Sequence, residues 1–253
     1  MENYKYDVKS SKAEEFINDG EINDTLKYAS ENKTNRTLIK SIIEKARERK
    51  GLNHREAAVL LDCELEDLNQ EMFELAREIK QKIYGNRIVM FAPLYLSNYC
   101  VNGCVYCPYH AKNKTICRKK LTQEQVRAET IALQDMGHKR LALEAGEDPV
   151  NNPLEYILEC IDTIYSIKHK NGAIRRVNVN IAATTVENYK RLKDAGIGTY
   201  ILFQETYNKE NYLNLHPSSI RRVLSITMLT IPRLWTELCR EVLMTWAAAC
   251  CSD

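Results

Sequence analysis

The stretch Ser97-Asn-Tyr-Cys-Val-Asn-Gly-Cys-Val-Tyr-Cys-Pro108 contains three closely spaced cysteines, Cys100, Cys104 and Cys107. Their spacing is C-x3-C-x2-C, with a glycine before the second cysteine and an aromatic residue before the third. Three thiolates so close along the chain can bind one small metal centre, and they leave a four-iron cubane one protein ligand short. The alternatives are a zinc knuckle, which closes its coordination shell with protein ligands, or three half-buried thiols without a metal.

The composition is that of an ordinary soluble globular protein, with 44% hydrophobic and 28% charged residues among 253. The 36 Lys and Arg nearly balance the 34 Asp and Glu, so we expect neither a nucleic-acid partner nor a membrane surface. The N-terminal residues are polar, unlike a signal peptide, and no stretch has the roughly 20 apolar residues that cross a bilayer. Nine cysteines without a secretory segment favour a cytoplasmic location over a disulfide framework.

Residues 1–85 are predicted to form a helical extension. Leu38, Ile42 and Ile43 recur at helical spacing, and Asn53 with Glu56 three residues later has the pattern of a capping box. A longer apolar stripe then continues through residues 57–83, interrupted near 62–66, and its spacing is typical of core packing.

Residues 86–217 alternate between strand and helix patterns. Strands are predicted at 88–92, 140–144, 177–181 and 198–203, and helices at 121–136, 153–168 and 186–194. Such alternation with short connections predicts a parallel sheet of about four βα units, with right-handed crossovers. Ligand-binding and catalytic residues on such sheets lie at the carboxyl ends of the strands. The cysteines, Gly146-Glu147 and Gln204-Glu205 are all predicted to lie there.

In this context the cysteine motif resembles the signature of the radical SAM superfamily, which lies on the loop after the first strand of a (βα) barrel. The resemblance implies a 4Fe-4S cluster bound by the three cysteines, with S-adenosyl-L-methionine (SAM) on the remaining iron, in a partial barrel. It places Tyr106 near the adenine. Ala145, Gly146 and Glu147 match the glycine-rich loop that contacts the SAM amino group, although alanine replaces the first glycine. A solvated loop carboxylate is the alternative for Glu147.

Within the superfamily, three stretches resemble the HydG family of iron-only hydrogenase maturases: Tyr95 to His110, Leu143-Glu-Ala-Gly-Glu-Asp-Pro149 and Phe203-Gln-Glu-Thr-Tyr207. That family cleaves L-tyrosine through a 5′-deoxyadenosyl radical to p-cresol and dehydroglycine, the source of carbon monoxide and cyanide. The resemblance implies that Gln204 and Glu205 face the SAM and substrate space, with Asn180 as a further candidate. Gln204 could instead satisfy neighbouring backbone groups.

The same resemblance implies an electron donor such as ferredoxin or flavodoxin, and other hydrogenase maturases as possible partners. A ThiH-like 2-iminoacetate synthase of thiazole biosynthesis is an alternative, as is a non-catalytic metal-binding module. The helical N-terminus and the 143–149 stretch favour the HydG type.

His110 and Cys117 flank the motif and are expected to be structural, because three thiolates are already present. No catalytic side chain is assigned.

The resemblance ends near Pro217, and residues 218–253 are interpreted as an out-of-frame tail. Permissible codons for residues 227–253 allow the adjacent reading frame to encode a HydG-like segment. Cys239, Cys250 and Cys251 would then have no evolved role. Tyrosine-binding residues are expected from later strands, so the 253-residue chain is expected to bind a cluster without completing turnover.

We therefore predict that a change of one or two bases downstream of the Pro217 codon restores a long HydG-like reading frame. Sequencing the coding DNA tests this directly. If no such change restores the frame, the interpretation of the tail is wrong.

Overall fold

A computed structural model describes residues 18–170, 172–202 and 209–217. The chain divides into two compact units, one spanning Asn18–Val89 and the other beginning at Met90. The tail interpreted as out of frame lies outside the described residues. Across the residues that are described, no helix is both long enough and apolar enough to cross a bilayer.

The first unit consists of helices, as predicted: α1 Asp19–Asn32, α2 Arg36–Arg47, α3 His54–Leu61 and α4 Glu66–Tyr84. The capping box is present at the start of α3. The Asn53 side chain accepts from the Glu56 amide at 2.9 Å, and the Glu56 carboxylate accepts from the Asn53 amide at 2.8 Å. The apolar faces of these helices form a core of their own, which contains Ile39, Ile43, Val59 and Leu68.

The second unit is a four-stranded sheet with connecting helices. Its elements are β1 Ala92–Ser97, α5 Gln123–Asp135, β2 Arg140–Ala145, α6 Leu154–Ser166, β3 Arg176–Asn180, α7 Val186–Asp194, β4 Tyr200–Ile201 and α8 Lys209–Leu215. The strand order is β1-β2-β3-β4, and every neighbouring pair is parallel. The predicted partial (βα) barrel of about four units is confirmed.

The first strand begins later than the sequence predicts. Residues 88–91 precede the strand, and their side chains are more than half exposed. The strand instead begins at Ala92, where Ala92, Leu94 and Leu96 alternate toward the core while Pro93 lies on the opposite, exposed side. A proline is tolerated here because β1 is an edge strand among the residues that the structure describes. The prediction relied on a continuous apolar run, whereas the alternation of buried residues determined the strand.

Two neighbouring rows of residues across the sheet have opposite character. Leu94, Leu143, Val179 and Tyr200 are paired in register and buried in the core with α5, α6 and α7. The adjacent row is Tyr95, Glu144, Asn180 and Ile201. Because side chains alternate along a strand, this second row lies on the face opposite the helices. A row with polar side chains on its first three strands therefore crosses the sheet near the carboxyl ends of the strands.

We expect the Ile161→Ala substitution to destabilise the second unit strongly. Ile161 lies on α6, is fully buried and contacts the sheet core, so the free energy of unfolding should fall by about 2–5 kcal/mol. Urea unfolding followed by circular dichroism measures the change. Val150→Ala is the control, because Val150 is 84% exposed, and its effect should stay within about 0.5 kcal/mol. Equal effects of the two substitutions would contradict the placement of this core.

Candidate functional site

The three cysteines lie on the long loop between β1 and α5, which is closed at its base by Asn98. The Asn98 amide donates to the Lys119 carbonyl at 3.1 Å, and its side-chain oxygen accepts from the Lys119 amide at 2.7 Å. The Asn98 side-chain NH₂ also donates to the Cys117 carbonyl at 2.8 Å. Ser97 and Lys120 form an antiparallel bridge beside these bonds. The loop therefore leaves and rejoins the sheet edge at one fixed point.

Arg118 holds the interior of the loop. Its guanidinium donates to the carbonyls of Asn98 at 2.5 Å, Tyr109 at 2.8 Å, His110 at 2.7 Å and Asn113 at 3.3 Å. A planar guanidinium has donors that diverge in fixed directions, so one side chain can satisfy several carbonyls that lack regular secondary structure. Arg118 was not among the predicted site residues, because nothing in the spacing distinguishes it from the other cations of this loop.

The environment of Cys100 suits a metal-bound thiolate. Burial raises the pKa of the Cys100 thiol, and hydrogen bonds from the backbone amides of Asn102 and Glu147 oppose that rise. Such amides stabilise negative charge on sulfur, and a metal ion that replaces the thiol proton removes the cost of ionisation. The other two cysteines are partly exposed, and the Cys107 amide donates to the Cys104 carbonyl at 3.3 Å.

Within the described ranges, no three His, Cys, Asp or Glu side chains converge on a position for one metal ion. A cubane does not require that convergence, because each thiolate binds a different iron. Three thiols on one loop, one of them with two amide donors, therefore fit the 4Fe-4S cluster that the sequence implies.

Gly146, on the loop after β2, is in direct contact with the cysteine loop. A Cβ atom at this position would lie 2.4 Å from the Tyr99 carbonyl oxygen and 2.9 Å from Cys100 Cβ. The Gly146 amide donates to the Ser97 carbonyl at 3.2 Å. The Asn152 side chain donates to both the Tyr99 and Gly146 carbonyls, at 3.0 and 2.8 Å. The glycine is therefore required by the close approach of two backbones.

Glu147, the next residue, also contacts the cysteine loop. Its carboxylate accepts from the Asn102 side chain at 2.5 Å, and its carbonyl accepts from the Val101 amide at 2.8 Å. The Glu147 side chain is therefore attached to the loop rather than surrounded by solvent. Ala145 ends β2 and pairs with Ser97. Contact of these residues with SAM stays a prediction.

Of the three candidates Asn180, Gln204 and Glu205, only Asn180 lies within the described residues. Asn180 donates to the Glu144 carboxylate at 2.6 Å on the polar face of the sheet, and burial raises the pKa of Glu144 while this hydrogen bond opposes the rise. Glu144 was not singled out, although a charged residue in the otherwise apolar end of a strand was a usable signal. Gln204 and Glu205 lie outside the described residues.

Tyr106 is about half exposed, and its hydroxyl forms a hydrogen bond with His216. His110 and Cys117, which were expected to be structural, contribute backbone groups to the loop. The carbonyl of His110 accepts from Arg118, and that of Cys117 accepts from Asn98.

Comparisons with known proteins agree with this geometry. A sequence profile described as the Radical SAM superfamily matches residues 94–229, more than half of the chain. A crystal structure of HydG, a maturase of the [FeFe]-hydrogenase, superimposes with a TM-score of 0.81 at 57% identity, covering 87% of this chain and 48% of that one. HydG from Carboxydothermus hydrogenoformans superimposes with a TM-score of 0.74 at 39% identity, covering 85% and 49%.

Among curated proteins, the 2-iminoacetate synthase of Salmonella typhimurium is 28% identical over 174 residues, which is 69% of this chain and 44% of that protein. The chain thus spans about half the length of the relatives it matches.

We expect the Arg118→Lys substitution to loosen the cysteine loop, because an ammonium group cannot satisfy four diverging carbonyls. Amide hydrogen exchange across residues 98–119, measured by mass spectrometry, should become about tenfold faster. The control is Lys119→Ala, which removes an exposed neighbouring cation and keeps the backbone bonds to Asn98. Unchanged exchange in Arg118→Lys would show that Arg118 does not hold the loop.

Proposed function

The chain belongs to the radical SAM superfamily, and from this membership we propose that its cysteine loop binds a 4Fe-4S cluster through Cys100, Cys104 and Cys107 and presents the open iron to SAM. The observation that carries the proposal is the close approach of Gly146 to the Tyr99 carbonyl and to Cys100 Cβ, at the carboxyl edge of a parallel sheet. This contact brings the motif and the loop after β2 together, as a shared cofactor site requires.

The bound cluster would supply the electron that cleaves SAM and yields a 5′-deoxyadenosyl radical. The protein's own share is to bind, orient and enclose the reactants. We assign the adenine contact to Tyr106 and the SAM amino group to the loop of Ala145, Gly146 and Glu147. The Glu147 carboxylate suits an ammonium group, and its bond to Asn102 fixes its orientation.

The proposed reaction is the cleavage of L-tyrosine to p-cresol and dehydroglycine, in the manner of HydG. The 57% identity to a HydG structure supports this reaction over others in the superfamily. Asn180, Gln204 and Glu205 are proposed to line the SAM and substrate space. The chain spans about half of the HydG structures, so the reaction and its partners, an electron donor and the other hydrogenase maturases, are proposed for a protein that includes the remaining half.

A second candidate is 2-iminoacetate synthase activity, because proteins of that name are also similar to this chain. Their identity is 26–28%, lower than that of the HydG structures. A non-catalytic metal-binding module is the third candidate, and it predicts a site that does not respond to SAM.

We predict that the anaerobically reconstituted 253-residue chain is brown, and that adding SAM changes the spectrum of its reduced cluster. Cys100→Ser, Cys104→Ser and Cys107→Ser should each abolish the cluster absorbance, because each removes one of the three thiolates. Cys117→Ser is the matched control, since Cys117 is an exposed thiol of the same loop outside the motif. Iron analysis and electron paramagnetic resonance provide the measurements.

A colourless zinc protein, or a cluster indifferent to SAM, would support the metal-binding module instead. Equal loss of the cluster in Cys117→Ser would contradict the assignment of the motif.

A further inference from the structure

The end of α8 and the two residues after it contact the cysteine loop at three successive positions. The Leu215 carbonyl accepts from the Val105 amide at 2.9 Å. The Pro217 carbonyl oxygen lies 2.2 Å from the position of a Cβ on Gly103, so this contact also explains the glycine before the second cysteine. Between these two contacts, His216 Nε2 lies 2.6 Å from the Tyr106 hydroxyl oxygen. Residues 215–217 therefore run along residues 103–106.

His216 is itself held in a fixed orientation. It is only 8% exposed, and its ring stacks on Tyr212 with centroids 4.2 Å apart. Its Nδ1 lies 2.9 Å from the Tyr212 carbonyl oxygen. A carbonyl can only accept, so Nδ1 carries the proton, and in the uncharged tautomer that this requires Nε2 is an acceptor. The Tyr106 hydroxyl therefore donates to His216 Nε2, with the two rings edge to face at 87° and 5.4 Å.

We propose that His216 is a positioning residue for the cofactor site, which holds the Tyr106 ring in the orientation that receives the adenine of SAM. The consequence for SAM rests on the function proposed above, whereas the hydrogen bond itself does not. Tyr106 is about half exposed and lies on a loop, so its ring would otherwise have to be ordered when the cofactor binds. A ring that is already held avoids that entropic cost.

The hydrogen bond can be tested in the chain without a cluster, by ¹⁵N NMR of protein labelled at its five histidines. The His216 signals are assigned by their loss in His216→Gln. We expect Nδ1 to be the protonated nitrogen and Nε2 the unprotonated one. In Tyr106→Phe, the Nε2 resonance should move toward that of an imidazole nitrogen without a donor, while Nδ1 stays in place. A proton on Nε2, or no shift in Tyr106→Phe, would overturn the proposal.

SAM binding by the reconstituted chain, measured by equilibrium dialysis, tests the positioning role. His216→Leu and Tyr106→Phe should each weaken binding about fivefold, the ratio typical of one hydrogen bond, and the double variant should be no weaker than either alone. His216→Gln should stay within about twofold of the wild type, because its amide oxygen can still accept from Tyr106. His54→Gln, in the first compact unit, is the control and should change nothing.

Two results would contradict the positioning role: additive losses in the double variant, or failure of His216→Gln to restore binding. Absence of SAM binding in the wild type would instead contradict the proposed function. In that case the NMR experiment still decides whether His216 holds Tyr106.

Discussion

The site depends on the contact between two backbones, that of Tyr99-Cys100 and that of Gly146. Only a glycine allows the loop after β2 to approach this closely, and the Ser97 and Asn152 hydrogen bonds fix the distance once it is reached. The parallel pairing of β1 with β2 places both loops at one edge of the sheet, so the contact follows from the topology. Any residue larger than glycine would displace the backbone that carries Cys100.

The cysteine loop has no regular secondary structure, so its carbonyls need partners from elsewhere. Arg118 and the Asn98 side chain provide many of them from within the loop, and Leu215 and His216 contact the loop from the end of α8. These contacts fix the path of the loop that carries the three thiols. An ordered loop loses less conformational entropy on forming a cluster than a disordered one would.

The parts that the sequence predicted well depend on local patterns. The capping box at Asn53 and the alternation of strands with helices involve residues a few positions apart, and the structure contains them. The parts that were missed depend on long-range contacts. Tyr106 and His216 are 110 positions apart, and Asn180 and Glu144 are 36 apart, so no spacing rule could connect them. The start of β1 was misplaced for a related reason, because its burial is determined by pairing with β2.

The polar face of the sheet follows from the same geometry. In a (βα) barrel the helices cover one face of the sheet, and the other face lines the barrel interior. Tyr95, Glu144 and Asn180 form a register row on that interior face, near the loops that carry Cys100 and Gly146. The pKa of Glu144 is raised because burial penalises its charged form, and this penalty opposes folding at pH values where the carboxyl ionises. The Asn180 hydrogen bond offsets only part of this penalty, so the Glu144 carboxyl does not add to stability. A partly buried carboxyl in this position is instead typical of a polar binding space.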